Sequence, residues 1–591
     1  MKEMGAVLAD SGTLGGSALA SWTPLWVLLG GFAMVVAVLA VRGRPNPDWG
    51  RLAMLSRAPD SLRRLTGIPG WAASAIGTAL FGLFVAGQGF YADVAWHIAL
   101  GRDKNLFTAP HAGILIGLVL ILAGAVLGTL TATLDRVPGT LRVGGLRVPR
   151  SLVPLWALGA GAIAGFPIDE IWHRAYGVDV TMWSPTHMLM ILGATFTGLA
   201  VWLILADAGV TPDSSRWGRG LHVACAWLTL QGLVAPLGEF SFGVPQFSLL
   251  FAPALLCLAS GLALVAMRIV LGRGWTLGIV VVSFALMAGG DSGPVTTRHV
   301  GTFLASAACV ELAGLVVGTE RRVRFALVSG LGVGTVGLAG EWWWNQDAYQ
   351  PWTTAPLPEA AVLGVVLAVA GAVLGAGYAR AVAVERVPTR SVPGRAVAVA
   401  AAVAVITILV LLPRGTGSVT ASVHVEGAGD GRAFVEATLS PVSAADNAYW
   451  FQAEAWQGGG LELADMAPTG VSGVYRSTRA VPVDGHWKTL LRLHRSGQMM
   501  ALPIYLPADP SIAAPQIVAV DRTAPFESER RYLLRETHSG NGWLSPLVHG
   551  FLVVVCALWA LAFFSATRRQ SASPLTDQAR DGANPAHAVV G

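Results

Sequence analysis

Residues 71–133 read WAASAIGTALFGLFVAGQGFYADVAWHIALGRDKNLFTAPHAGILIGLVLILAGAVLGTLTAT. Two apolar runs flank a short polar segment, and each approaches or passes the roughly 20 residues needed to cross a bilayer. The stretch is a membrane hairpin. Asp93, His97 and His111 lie about its turn with the spacing Asp-x3-His-x13-His, and Asp169, His173 and His187 repeat that spacing in the next hairpin, residues 152–207. Trp96 and Trp172 precede the first His of each set, and Asp103 and Asp179 lie ten residues after each first Asp.

An Asp and a His four residues apart share one helix face. Pro110, or Ser184 with Pro185, ends each outer turn so that His111 or His187 opens the returning helix and faces back. Headgroups and water explain a lone Asp-Trp-His at a helix end. Two carboxylate–His–His sets in register point to metal. Each would present two imidazoles and one carboxylate with positions left open, a donor set suited to copper, zinc or non-heme iron. Asp103 and Asp179, with the neighbouring Trp96 and Trp172, are candidates to orient the ligands from behind.

Working outward, the chain has 591 residues, 53% hydrophobic and 13% charged. Soluble domains carry about 25% charged residues, so this is a polytopic α-helical membrane protein. Thirteen apolar runs read as spans: 23–41, 71–92, 112–133, 152–170, 187–207, 220–238, 247–268, 275–290, 300–318, 325–340, 359–380, 396–412 and 544–566. Arginines follow every odd-numbered run, for example Arg42, Arg136, Arg216, Arg268, Arg321, Arg380 and Arg568. The positive-inside rule places those loops in the cytoplasm and the N-terminal segment, 1–22, outside. The net charge of +5 comes mostly from these loops. It reads as membrane orientation in a lipid bilayer, with no nucleic acid as partner. The start of the chain shows no removable signal peptide. Arginine in place of lysine, with abundant Ala, Val and Gly, suits a bacterial plasma membrane.

Within the membrane domain, 23–412, the middle ten spans read as five hairpins. Each rising helix ends in an acid: Asp93, Asp169, Glu239, Asp291 and Glu341. Only the first two hairpins keep the full His set, and the fourth keeps His299 beside Asp291. Glu311 falls within a span, where a carboxylate is a functional-site candidate by default. Cys225, Cys257, Cys309 and Cys556 all lie in apolar stretches, with no CxxC.

Residues 415–525, within a domain bounded at 413–542, change character. Short alternating runs such as SVTASVHVE and RAFVEATLS are separated by Gly, Pro and Asp, the pattern of an antiparallel β-sandwich. This domain is expected outside the membrane, held by spans twelve and thirteen. His424, His486 and His494 fall in it, the last two eight apart. The final span, 543–567, precedes a polar cytoplasmic tail, 568–591, whose composition predicts disorder.

The segment Asp93-Val-Ala-Trp96-His97, Arg102-Asp103, Phe107-Thr108 and Pro110-His111 resembles the copper-site region of a membrane subunit of the copper membrane monooxygenases, the particulate methane and ammonia monooxygenase family. The resemblance covers residues 85–195. The family pattern has Thr where this chain has Lys104 and one residue fewer before the last His. Its second site has Asn where this chain has Asp169. The resemblance implies copper at Asp93, His97 and His111 and at Asp169, His173 and His187. It also implies O2-dependent oxidation of a small substrate, an electron donor, and assembly as a homo-oligomer or with further membrane subunits. Gly473-Val-Tyr475 and Gly485-His486-Trp487-Lys488 resemble the FixH/YtkA type of periplasmic sandwich, which accompanies membrane copper and oxidase-assembly proteins. That favours a second, non-catalytic expectation: copper acquisition, handling or cofactor assembly. A transporter is the third, disfavoured because the polar residues crowd one end of the spans.

Overall fold

A computed structural model describes residues 21–100, 107–176, 181–241, 245–288, 299–346, 351–383, 392–412, 415, 417–458, 460–495, 497–510, 514–533 and 542–570. The side chains of 95, 97–100, 286–288 and 568–570 are excepted. Among these residues ten helices are long and apolar enough to cross a membrane, and three shorter apolar helices stand where spans eight, nine and twelve are expected. The shorter ones include α12, Val300–Val316, and α16, Gly394–Val410. At 1.5 Å per residue, 17 residues reach about 25 Å, short of the roughly 30 Å hydrocarbon layer. The chain is therefore a helical membrane protein carrying a β-domain.

The first helix, α1 (Thr23–Arg42), is almost wholly exposed. A short helix, α2 (Arg57–Thr66), leads into the first hairpin, α3 (Gly70–Leu100) and α4 (Ala109–Leu134). Glycines let these two helices touch backbone to backbone. A Cβ on Gly89 would lie 2.7 Å from the Pro110 carbonyl oxygen, and one on Gly117 would lie 2.4 Å from the Ala86 nitrogen. Small residues at such crossings are what membrane helices use in place of a hydrophobic driving force. A two-stranded hairpin follows, β1 (Leu141–Val143) and β2 (Leu146–Val148), turned at Gly144 and Gly145 with φ of 54° and 85°. Both central residues at positive φ is the tight hairpin geometry that glycine supplies.

The second hairpin pairs α5 (Leu152–Tyr176) with α6 (Pro185–Thr195), which α7 (Thr197–Asp207) continues after a break at Phe196. Gly193 lies against the Leu158 carbonyl, 2.9 Å from a would-be Cβ. The third hairpin rises through α8 (Arg216–Val234) and the one-turn α9 (Gly238–Ser241), then returns as α10 (Phe251–Leu271). Next come α11 (Trp275–Ala288) and α12, then α13 (Arg322–Gly332) joined to α14 (Leu338–Asn345) by a π-helical turn at Val333–Gly337. The fifth returning helix is α15 (Leu357–Val382).

The β-domain strands are β3 (Thr420–Gly429), β4 (Arg432–Ser440), β5 (Trp450–Trp456), β6 (Leu461–Pro468), β7 (Val474–Ser477), β8 (Val481–Pro482), β9 (Lys488–Arg495), β10 (Gln498–Tyr505), β11 (Arg522–Pro525) and β12 (Glu527–Ser528). All pair antiparallel in one path, β11-β3-β4-β7-β6-β5-β9-β10-β12, with β8 on β4. Strand β6 crosses between layers, bonding β5 through Leu461–Asp465 and β7 through Met466–Pro468. The two ends of the path, β11 and β12, are consecutive in the chain, so the sheet nearly closes into a barrel around Val435, Leu439, Phe451, Leu493 and Leu502. After the short α17 (Arg530–Leu533), the chain ends in α18 (Leu544–Gln570), which packs on α5 through a 2.7 Å bond from Trp559 Nε1 to the Ala157 carbonyl.

The β-domain seats on one end of the helices. Tyr449 donates through its hydroxyl to Glu359 at 2.9 Å, its carbonyl accepts from Thr353 at 2.9 Å, and Arg492 donates to the Pro245 carbonyl.

Candidate metal centre

The second Asp–His–His set converges. Asp169 and His173 are one helical turn apart on α5, with His173 Nε2 3.2 Å from Asp169 Oδ2. Ser184 caps α6 by accepting from the His187 N–H, and Pro185 opens the helix. That cap turns His187 back toward α5, with its Nε2 3.5 Å from Asp169 Oδ1. The two imidazole rings lie 5.4 Å apart, and one ligand atom from each of the three residues falls within 4.8 Å of the others. Asp169 is buried, while both histidines are partly open.

The proton arrangement bears on what this cluster can hold. His187 Nδ1 is 3.1 Å from the Thr181 carbonyl oxygen, which can only accept. Nδ1 therefore carries the proton, and in the neutral ring Nε2 carries a lone pair. That lone pair faces Asp169, whose Oδ1 already accepts from the Thr186 hydroxyl at 2.5 Å. Two acceptors face each other across 3.5 Å, beyond ordinary hydrogen-bond length. A proton or a cation between them relieves the repulsion. Two ligands about 2.0–2.1 Å from a tetrahedral ion stand about 3.3 Å apart. The observed 3.2 and 3.5 Å separations straddle that value.

The first set is brought together in part. His111 Nε2 is 3.0 Å from Asp93 Oδ1, and His111 meets the edge of Phe166 on α5, so the two hairpins adjoin here. His97 follows Asp93 by one turn of α3, but its side chain lies outside the described residues, as do Asp103, Asp179 and Asp291. Trp172 packs on Tyr176 at 4.5 Å and edge-to-face on His549 of α18 at 5.8 Å. It thus joins α5 to α18. Trp96 stands on α3, half-buried.

The other acids have definite employment. Glu311 lies 2.9 Å from Arg268 Nε and accepts from the Thr276 N–H at 3.1 Å, so it ties the end of α10 and the start of α11 to α12. Glu341 accepts from the backbone N–H of His299 at 2.9 Å and of Thr302 at 3.1 Å, holding the start of α12. Buried His222 accepts from Trp202 at 2.9 Å and donates to the Val210 carbonyl at 2.9 Å, a satisfied core histidine.

The β-domain histidines do not gather. His424 is exposed beside Asp521, at 2.7 Å, and that hydrogen bond raises its pKa. His486 stands in the turn before β9, and His494 on β9 is buried against the helices. There His494 bonds Glu529 at 2.5 Å, and Arg492 binds both Glu529 and Glu454. Burial pushes His494 below its usual range, outweighing Glu529. Burial would raise Glu529 too, but the charges of Arg492 and His494 hold it below the ordinary range. Glu454, with one partner, is pushed up by burial.

Two residues around the centre, Thr186 and Thr181, carry no motif in the sequence, whereas Glu239 belongs to the series of hairpin acids but nothing in the sequence joins it to this set. Thr186 is the sequence neighbour of His187, and the Ser-Pro cap before it is the one signal that points to it. No protein-family model, no curated protein and no solved structure matches this chain.

Proposed function

We propose that this chain is a membrane metalloprotein in which Asp169, His173 and His187 hold a copper ion, after the manner of the copper membrane monooxygenases. The observation that supports it most is His187 Nε2 set 3.5 Å from the Asp169 carboxylate while Nδ1 faces the Thr181 carbonyl. A carboxylate buried among membrane helices is costly unless it is paired or ligating. The donor set of two imidazoles and one carboxylate accepts zinc or non-heme iron as well. Asp93 and His111, with His97, form the second centre of this reading.

Bound copper would supply the activation of O2 for oxidising a small apolar or amine substrate. The chain's residues do the rest. Asp169 and the two histidines offer ligand atoms, Thr186 fixes the carboxylate, and the Thr181 carbonyl fixes the His187 tautomer. The membrane topology in this reading has thirteen crossings, the three shorter helices among them lying near the lower length limit of a span, with the N-terminus and the β-domain outside and the C-terminal tail in the cytoplasm, because arginines follow the odd-numbered spans. The β-domain is a flattened barrel of the sandwich kind, its two layers joined by β6. The exposed apolar face of α1 suits lipid, a further membrane subunit or a second copy.

The test is metal content and EPR on protein purified in nanodiscs after copper, zinc and iron loading, wild type beside His173→Ala and Asp169→Ala. Bound copper with a type-2 signal that loses the same component in both variants supports the centre, the remaining component belonging to the first set. Metal-free wild type after all three loadings refutes it. Reductant- and O2-dependent turnover of small substrates then separates an oxygenase from a copper-handling protein.

A further inference from the structure

We infer that Glu239 of the third hairpin is a positioning residue for the His187 imidazole, and that the β-domain reaches the metal centre through it. This rests on the metal reading above. Glu239 is fully buried. Its carboxylate collects its donors from two loops and not from the ligand side chains. Thr181 Oγ1 lies 3.0 Å from both oxygens, the Met182 N–H donates at 2.8 Å, and the Gln246 N–H donates at 2.8 Å.

The first of those loops carries the Thr181 carbonyl, the atom that sets which nitrogen of His187 holds the proton. The same loop is pinned again by Trp183, whose Nε1 donates to the Pro236 carbonyl at 2.8 Å, and whose ring packs on Phe240, Phe247 and Phe251. The second loop is held from the other side, because Arg492 of β9 donates to the Pro245 carbonyl. A continuous line of bonds thus runs from Arg492 through Pro245 and Gln246 to Glu239, and on through Thr181 to His187. These partners of Glu239 are all donors, so the position requires an acceptor at both oxygens. An amide would set its own N–H against one of them. Groups that orient a metal-binding histidine are worth about 10–100-fold in metal affinity when removed.

The experiment uses the full chain in nanodiscs with Cu(II) as probe. Affinity is read by chelator competition, and ligand geometry by the nitrogen hyperfine couplings of the EPR signal. Wild type is compared with Glu239→Gln, with the near-isosteric Thr181→Val and its conservative partner Thr181→Ser, and with Asp169→Ala. The signal remaining in Asp169→Ala belongs to the first set and is subtracted. The expected result is a loss of affinity of about 10–100-fold with altered couplings in Glu239→Gln and in Thr181→Val, and wild-type behaviour in Thr181→Ser. If Glu239→Gln fails to fold, the Thr181 pair carries the test. Wild-type affinity and couplings in Thr181→Val and Glu239→Gln, with the second set's component still lost in Asp169→Ala, overturn the positioning role and leave the metal centre standing. No copper in wild type overturns both.

Discussion

Asp169 accepts a 2.5 Å hydrogen bond from Thr186, the residue that immediately precedes its facing histidine, His187. The bond holds one carboxylate oxygen in place before any ligand arrives, and it clips the start of α6 to α5. Removing the hydroxyl leaves a buried carboxylate oxygen short of a partner, at a cost of about 1–3 kcal/mol. Thr186→Val is expected to lower the thermal unfolding temperature and weaken copper binding, whereas Thr186→Ser restores both. Equal melting and equal copper affinity for the valine and serine variants would show that this bond does no such work.

Gly89 and Gly87 make a matched pair on α3. A Cβ at Gly89 meets the Ile114 nitrogen at 2.6 Å and the Pro110 carbonyl at 2.7 Å, while one at Gly87 meets nothing within 4 Å. Gly89→Ala forces α3 and α4 apart just where Asp93 faces His111. Overpacking of this kind costs about 1–3 kcal/mol. Gly87→Ala is expected to be neutral or mildly stabilising, since alanine is the better helix former. Melting of the two variants in detergent checks the contrast, and similar losses for both would contradict the close-packed hairpin.

The duplicated Asp-x3-His-x13-His spacing is enough to foresee that Asp169, His173 and His187 meet, because the helical turn and the hairpin are local devices. It likewise joins Asp93 to His111. What lies behind these three residues is not legible in the sequence. Glu239 reaches Thr181 across 58 positions, and Arg492 reaches the Pro245 carbonyl across 247. No periodicity encodes such contacts. The alternation in 415–525 announces antiparallel strands, but the near closure of the sheet depends on β11 and β12 joining opposite ends of the path. Strand patterns do not state that order. The glycine pair at 144 and 145 marks a turn, yet the three-residue strands on either side are too short for their alternation to announce the β1–β2 hairpin.

Glu311 provides a contrast with the Asp169, His173 and His187 set. Its place in the sequence makes it a candidate for moving protons or ions through a span. In the structure it lies 2.9 Å from Arg268, itself buried, and accepts from the backbone of Thr276. Breaking one side of a buried pair leaves the other charge uncompensated, worth about 3–5 kcal/mol. Glu311→Gln is expected to destabilise the protein while leaving copper content unchanged. Arg268→Met with Glu311→Leu is expected to recover much of the loss. A stable Glu311→Gln protein with altered copper content would overturn this assignment.

The β-domain's seat on the helices is expected to loosen in acid, for reasons that lie in His494 and Glu529. His494 faces Arg492, Glu529 and the ring of Trp450, and burial holds its pKa below the ordinary value of about 6.5. Above that value neither the folded nor the unfolded chain protonates it. As pH falls below about 6.5 the unfolded chain takes up the proton first, so stability declines until the folded pKa is passed. Glu529 has its pKa depressed. It contributes stability above the unfolded value of about 4.3, and that contribution is lost as pH falls through the folded pKa. Both slopes run the same way. Glu454, pushed up by burial, runs the other way and opposes folding as pH rises above about 4.3. Glu454→Gln should therefore be tolerated better than Glu529→Gln. Limited proteolysis of the β-domain against pH reads the docking directly. The fall between about pH 6.5 and the folded His494 pKa should disappear in His494→Gln, and an unchanged pH profile in that variant would remove His494 from the linkage.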